Sequence, residues 1–225
     1  MSWNGESGNG SGPRSGAPWR GRRPFVRPPD DPPGTSRLFV AVPVSDAVRA
    51  GVGELMEKVA GAPITERAFG QPRWVRVEGL HLTLRFLGAT PDERQSAVAE
   101  VLREVAAEAA PFKVALSGGG SFPDPIHPRV LWIGIANGGD RLVDLAGKLN
   151  ERFVPLGWPP ESRPLAPHLT LARTDGVPGA DERARELVEV ARDVMLSWQA
   201  DRIVLYKSVL GRGPTRYEIV SEALL

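Results

Sequence analysis

The sequence predicts an α+β fold made of two related halves, and three observations carry that expectation. Short apolar runs of strand length alternate with helix-length segments. Several of the joins between strands look like hairpins, which favours α+β over a purely parallel sheet. A tetrapeptide also recurs, as His81-Leu82-Thr83-Leu84 and His168-Leu169-Thr170-Leu171, 87 residues apart. The recurrence points to a cleft lined by one motif strand from each half.

The first 35 residues hold seven glycines, seven prolines and four serines, with arginines at positions 14, 20, 22, 23 and 27. Such a segment buries too little to offset the ordering of its backbone, so residues 1–35 are expected to be a disordered tail. Trp3, Trp19 and Phe25 are unusual for a linker, and an auxiliary RNA-contacting arm is the sharper alternative. Residues 36–225 are expected to form a single bilobal domain.

Folded sequence begins near Arg37 with an apolar run at 38–42, read as a buried strand ended by Pro43. Ser45 or Asp46 can cap a helix that stops at Gly61. Residues 74–77 and 80–86 read as two strands joined at Glu78-Gly79, a hairpin by spacing. Thr90-Pro91-Asp92-Glu93 opens a helix over 91–109, its acidic residues near the positive end. The pattern then repeats: a strand at 112–116, a glycine-rich loop over 118–128, a strand at 130–135 and a helix over 140–153. The proline-rich stretch 155–167 is an exposed connection. A strand at 169–172 carries the second motif, and a helix follows over 181–193. Two strands, 196–208 and 216–221, close the chain around Gly211-Arg212-Gly213-Pro214.

Composition narrows the chemistry. At 225 residues, 41% hydrophobic and 24% charged, the chain has ample material for a core. A formal net charge of +1 gives no global positive field, although local arginines can still bind phosphate. The absence of cysteine removes disulfides, thiol catalysis and thiolate metal sites. The first 35 residues lack the continuous apolar segment of a secretory signal, and no stretch approaches a membrane span, so no membrane partner is expected and cytoplasm is the default location. No obligate protein partner is implied.

Side chains alternate faces along a strand, so His81 and Thr83 share one face while Leu82 and Leu84 take the other, and His168 and Thr170 do likewise. Each motif buries leucines and presents an imidazole beside a hydroxyl. Histidine is the side chain best placed near neutral pH to give or take a proton, and a pair can do both in one reaction. At phosphorus, attack and departure are roughly in line, so the two imidazoles would flank the phosphate. Thr83 and Thr170 would donate to its equatorial oxygens. Arg85 shares parity with His81 and Thr83, whereas Arg173 reaches the same face only if its strand twists or ends early. On parity alone Arg85 is preferred. His127, in Pro125-Ile126-His127-Pro128, has no threonine partner and reads as structural. Neither motif has the helical spacing of a zinc protease, and no glycine run matches a nucleotide-phosphate loop, so no cofactor is expected. A two-histidine metal site with a distant carboxylate is the competing use of the same residues.

These motifs and their flanking words resemble the 2H phosphoesterase superfamily, in particular the bacterial and archaeal RNA 2′,3′-cyclic phosphodiesterases, historically called 2′-5′ RNA ligases. The words are Arg37-Leu38-Phe39-Val40-Ala41-Val42, Leu80-His81-Leu82-Thr83-Leu84-Arg85-Phe86-Leu87-Gly88, Pro128-Arg129-Val130-Leu131-Trp132, Pro167-His168-Leu169-Thr170-Leu171-Ala172-Arg173 and Gly213-Pro214-Thr215-Arg216-Tyr217. The resemblance spans about residues 36–222. It implies two pseudo-symmetric lobes with antiparallel sheets around a central cleft. It also implies hydrolysis of an RNA 2′,3′-cyclic phosphate to a 2′-phosphate without metal or nucleotide cofactor. His81 would be the general acid and His168 the general base. Thr83, Thr170 and Arg173 would hold the phosphate, which reverses the preference for Arg85. Arg85 and Phe39 stay as further substrate-binding candidates, with Trp74 a second aromatic that could meet a base. RNA ends or small nucleotides bearing a cyclic phosphate are the implied partners. Reversible 2′-5′ ligation, or RNA-end binding without turnover, are the alternative functions.

Overall fold

Each copy of the recurring tetrapeptide lies in its own antiparallel sheet. A computed structural model describes residues 31–63, 71–209 and 215–225. The tail expected over 1–35 therefore falls outside the described residues as far as position 30, as does the glycine-rich turn at 211–214. The first sheet has the order β3-β1-β8-β9, from Thr35–Pro43 (β1), His81–Pro91 (β3), Arg202–Val209 (β8) and Arg216–Leu224 (β9). The second has the order β2-β6-β5-β4-β7, from Arg73–Trp74 (β2), Phe112–Phe122 (β4), Val130–Asn137 (β5), His168–Arg173 (β6) and Ser197–Ala200 (β7). Every neighbouring pair is antiparallel. The α+β class with two antiparallel sheets is thus the observed architecture.

Four helices accompany the sheets: Asp46–Ala60 (α1), Gln95–Ala107 (α2), Gly139–Phe153 (α3) and Ala180–Val190 (α4). In α1 the Ser45 hydroxyl accepts from the Val48 amide, and Gly61 ends the helix in the left-handed region (φ 69°). Val48, Val52, Leu55, Met56 and Val59 form its buried stripe. Helix α2 packs on β8 and β9, and α4 packs on β4. The motif leucines Leu82, Leu84, Leu169 and Leu171 join Leu38, Val40, Leu131 and Ile133 in one core cluster spanning both sheets.

Four sequence expectations need correction. The segments at 74–77 and 80–86 do not form a hairpin, because β2 pairs with β6 in the second sheet while β3 pairs with β1 in the first. Between them Val77–Gly79 makes a single 3₁₀ turn, and neither Glu78 nor Gly79 has the positive φ that a tight hairpin turn requires. The expected strand at 196–208 is two strands, and the chain changes sheet at Asp201. Helix α2 starts later than Thr90-Pro91 implied: β3 runs to Pro91, and Asp92–Arg94 forms a 3₁₀ turn first.

The glycine run at 118–120 is strand rather than loop. Gly118 is the extra residue of a bulge with φ 68°, a backbone conformation that favours glycine. At Gly119 a Cβ would stand 2.7 Å from the Leu187 carbonyl oxygen, so the absent side chain lets α4 lie directly on β4. At Gly120 a Cβ would meet the Trp132 indole at 2.4 Å. Since the contact at Gly119 is to backbone, it cannot relax by a rotamer change. Gly119→Ala should destabilise the protein by about 1–3 kcal/mol, read as a lower urea midpoint with an unchanged slope. An unchanged midpoint would mean that α4 is not seated on this strand.

Candidate active site

A bulge directly after the threonine of each motif strand decides which side chains face the cleft. Opposite β1, Val40 pairs with Arg85 and Ala41 with Thr83, so Leu84 is bulged out of the ladder. Opposite β5, Leu131 pairs with Ala172 and Trp132 with Thr170, so Leu171 is bulged at the same place in its motif. A bulge shifts side-chain parity by one beyond it. In both strands two consecutive residues after the threonine are therefore buried, Leu84-Arg85 and Leu171-Ala172. The next residue returns to the face of the histidine, as Phe86 in one strand and Arg173 in the other.

This resolves the contest between the two arginines. Arg85, at 3% exposure, donates to the Pro159 carbonyl and pairs with Glu161 at 2.6 Å, on the face opposite His81. It is not a cleft residue, and ideal-strand parity failed because it assumed no bulge. Arg173 instead lines a pocket together with Phe39, His81, Thr83, Phe86, Thr170 and Tyr217. The pocket is small, about 100 Å³ in volume, and opens to solvent.

Both imidazoles are held in one way. His81 Nδ1 lies 2.7 Å from the Gly79 carbonyl oxygen, and His168 Nδ1 lies 2.7 Å from that of Ala166. A carbonyl only accepts, so Nδ1 carries the proton in each ring and Nε2 is left for chemistry. Each ring also meets an aromatic edge: Tyr217 on His81 (5.0 Å, 85°) and Phe122 on His168 (5.1 Å, 84°). Trp132 extends the second wall, 6.3 Å from His168.

Burial holds His81 well below its ordinary 6.5, at about 4, against the opposing pull of the Gly79 carbonyl. The charge of His168 lowers it further, so the two imidazoles lie within electrostatic reach of each other. Burial also raises the Tyr217 hydroxyl, with the Arg173 charge working in the opposite direction.

The remaining sequence candidates divide. Phe39 lines the pocket but is only 2% exposed; its ring backs His81 at 4.7 Å rather than offering a free face. Trp74 packs against the core. His127 is exposed beside Asp124, whose carboxylate accepts from the Ile126 and His127 amides. Among the described residues no three His, Asp or Glu side chains gather as a metal cage. Sequence reasoning missed Phe86, Val75, Ser208 and any role for Tyr217 in the pocket wall. Tyr217 and Phe86 both stood within quoted words, but the cleft-facing side of Phe86 becomes visible only once the bulge is known.

Residues 43–212 match the family model of the 2′-5′ RNA ligase superfamily. An RNA 2′,3′-cyclic phosphodiesterase of Methanothermobacter thermautotrophicus is 30% identical over 174 residues, covering 77% of this chain and 90% of that protein. One of Thermotoga maritima is 30% identical over 186 residues, covering 83% and 94%. Among solved structures, TT0787 of Thermus thermophilus has a TM-score of 0.66 at 29% identity, covering 84% of this chain and 97% of its own. E. coli LigT in its apo form shares the fold, with a TM-score of 0.62 at 24% identity and coverage of 85% and 98%.

Burial of His81 predicts a pH signature. Between about pH 4 and 6.5 this imidazole is bare in the folded chain and protonated in the unfolded one. Unfolding then takes up a proton, so its contribution to stability falls as pH drops through that window. The Tm of His81→Gln should therefore lose less than wild type between pH 6.5 and 4. Parallel losses would show that His81 is not buried in its neutral form.

Proposed function

The chain belongs to the 2H phosphoesterase superfamily, within the RNA 2′,3′-cyclic phosphodiesterase family, and from that premise we propose that it opens the 2′,3′-cyclic phosphate at an RNA end to a 2′-phosphate. The observation that carries this reading is the pair of imidazoles, each tied by Nδ1 to a carbonyl two residues earlier and so left with Nε2 free.

In the proposed reaction His168 Nε2 takes a proton from water as the water oxygen bonds to phosphorus. The phosphorus–O3′ bond breaks, and protonated His81 Nε2 gives its proton to the departing O3′. The products are a 2′-phosphate and a free 3′-hydroxyl. Thr83, Thr170 and Arg173 would hold the phosphoryl oxygens, and the Arg173 charge opposes the negative charge that builds there. Phe86, 62% exposed at the pocket mouth, offers a face on which an unpaired base can stack. Ligation would use the same groups with a 5′-hydroxyl in one position, and no feature of the pocket favours it. We also propose that the protein acts in the cytoplasm, where RNA ends are processed; among the described residues no helix is long and apolar enough to cross a membrane.

The acid must acquire its proton. His81 is bare at neutral pH in the ligand-free site, and a phosphodiester anion beside it favours its charged form. Substrate binding should therefore draw in a proton. Calorimetric titration at pH 6 with a non-hydrolysable cyclic phosphonate, in buffers of different ionisation enthalpy, should show net proton uptake that His81→Gln abolishes. Zero uptake by wild type would contradict the acid assignment.

The reaction itself is tested on an oligoribonucleotide ending in a 2′,3′-cyclic phosphate, with EDTA present. Wild type should yield the 2′-phosphate, and H81A and H168A should each lose about 10²–10⁴ in kcat while keeping the wild-type circular dichroism spectrum. A folded wild type that binds the RNA end without turnover would instead make it a recognition protein.

A further inference from the structure

A second pocket, of about 230 Å³, shares the Gly79 and Tyr217 walls of the first. Its other walls are Arg49 from α1, Glu78, Tyr206 from β8 and Ile219 from β9. Resting on the phosphodiesterase reading above, we propose that this pocket binds the next phosphodiester of the RNA, the one on the 5′ side of the nucleoside that carries the cyclic phosphate.

The side chains fit an anion. Arg49 has one carboxylate partner, Asp46 at 2.7 Å, and Asp46 is 95% exposed, so solvent screens that pair. Its Nε is buried without a hydrogen-bond partner among the described residues, while the side chain as a whole stays partly exposed. Tyr206 and Tyr217 bring two phenol hydroxyls, neither of which bonds another described residue. A guanidinium beside two hydroxyl donors suits phosphate oxygens. The single carboxylate in the wall, Glu78, is 83% exposed and faces Arg76 at 3.8 Å. Ile219, an exposed apolar side chain at 61%, gives a ribose something to lie against. Tyr217 and Gly79 wall both pockets, so the pocket lined by His81 adjoins the one lined by Arg49.

Three substrates test the subsite: a nucleoside 2′,3′-cyclic phosphate, its 5′-phosphorylated form, and a dinucleotide ending in the cyclic phosphate. Wild type should have a KM about tenfold lower for the second and third than for the first, as expected of one charge-assisted phosphate contact. Arg49→Gln should erase that advantage without changing kcat or the KM of the first substrate, and Arg49→Lys should recover part of it. The salt dependence of log KM for the dinucleotide should become shallower in Arg49→Gln. Equal KM values for all three substrates in a turning-over wild type would overturn the subsite alone. So would a variant that weakens all three equally. No turnover of any substrate would overturn the phosphodiesterase reading and the subsite with it.

Discussion

The site depends on where the β-ladder is interrupted. Leu84 and Leu171, the last residues of the two tetrapeptides, are each left over when their strands pair with β1 and β5. A regular strand would have put Arg85 in the cleft with His81, and Ala172 with His168. The bulge instead sends Arg85 into the interior, where it holds Pro159 and Glu161 of the connection leading to the second motif. It brings Phe86 and Arg173 to the imidazole side. One device used twice thus gives each half the same spacing: histidine, threonine two residues on, and a third cleft residue at the fifth. The third residues differ in chemistry, a ring in one strand and a cation in the other. The pocket therefore has one side suited to a base and one suited to a phosphate.

Local symmetry does not make the two histidines equivalent. Both are locked by a carbonyl two residues earlier, and both meet the edge of an aromatic ring. Yet His81 sits beneath Phe39, Tyr206 and Tyr217 and loses its hydration, which keeps it neutral until an anion arrives. Matched hydrogen bonding comes with different enclosure: among the described residues three aromatic rings surround His81 and two meet His168. On the proposed assignment it also links protonation to occupancy, since the charge that would make His81 an acid comes with the phosphate.

The sequence made much of this visible. Strand periodicity put each histidine beside its threonine, and the duplicated motif announced two halves. Ser45 and Gly61 bounded α1 by their capping chemistry. What stayed hidden has a physical reason in each case. Bulges carry no composition signal in a leucine, so ideal parity misplaced both Arg85 and Arg173. Gly118-Gly119-Gly120 reads as a loop because glycine is common in turns. Here the glycines serve a bulge, a helix seated on backbone and an indole, all of them long-range contacts. The change of sheet at Val77–Gly79 and at Asp201 depends on pairing partners far away in the chain. The aromatic walls around the imidazoles come from five different strands among the described residues, which spacing in the sequence cannot reveal.

The central claim is that both imidazoles are oriented by Nδ1–H donation, leaving Nε2 to face the phosphate. Long-range ¹H–¹⁵N correlation spectra of histidine-labelled protein test it directly, with His81→Gln, His127→Gln and His168→Gln used for assignment. At a pH where each ring is neutral, His81 and His168 should both show Nδ1 protonated and Nε2 bare. On acidification His81 should keep that pattern down to about pH 4 in the ligand-free protein. A proton on Nε2 in either ring would contradict the account, because that nitrogen would then be turned from the role the geometry gives it.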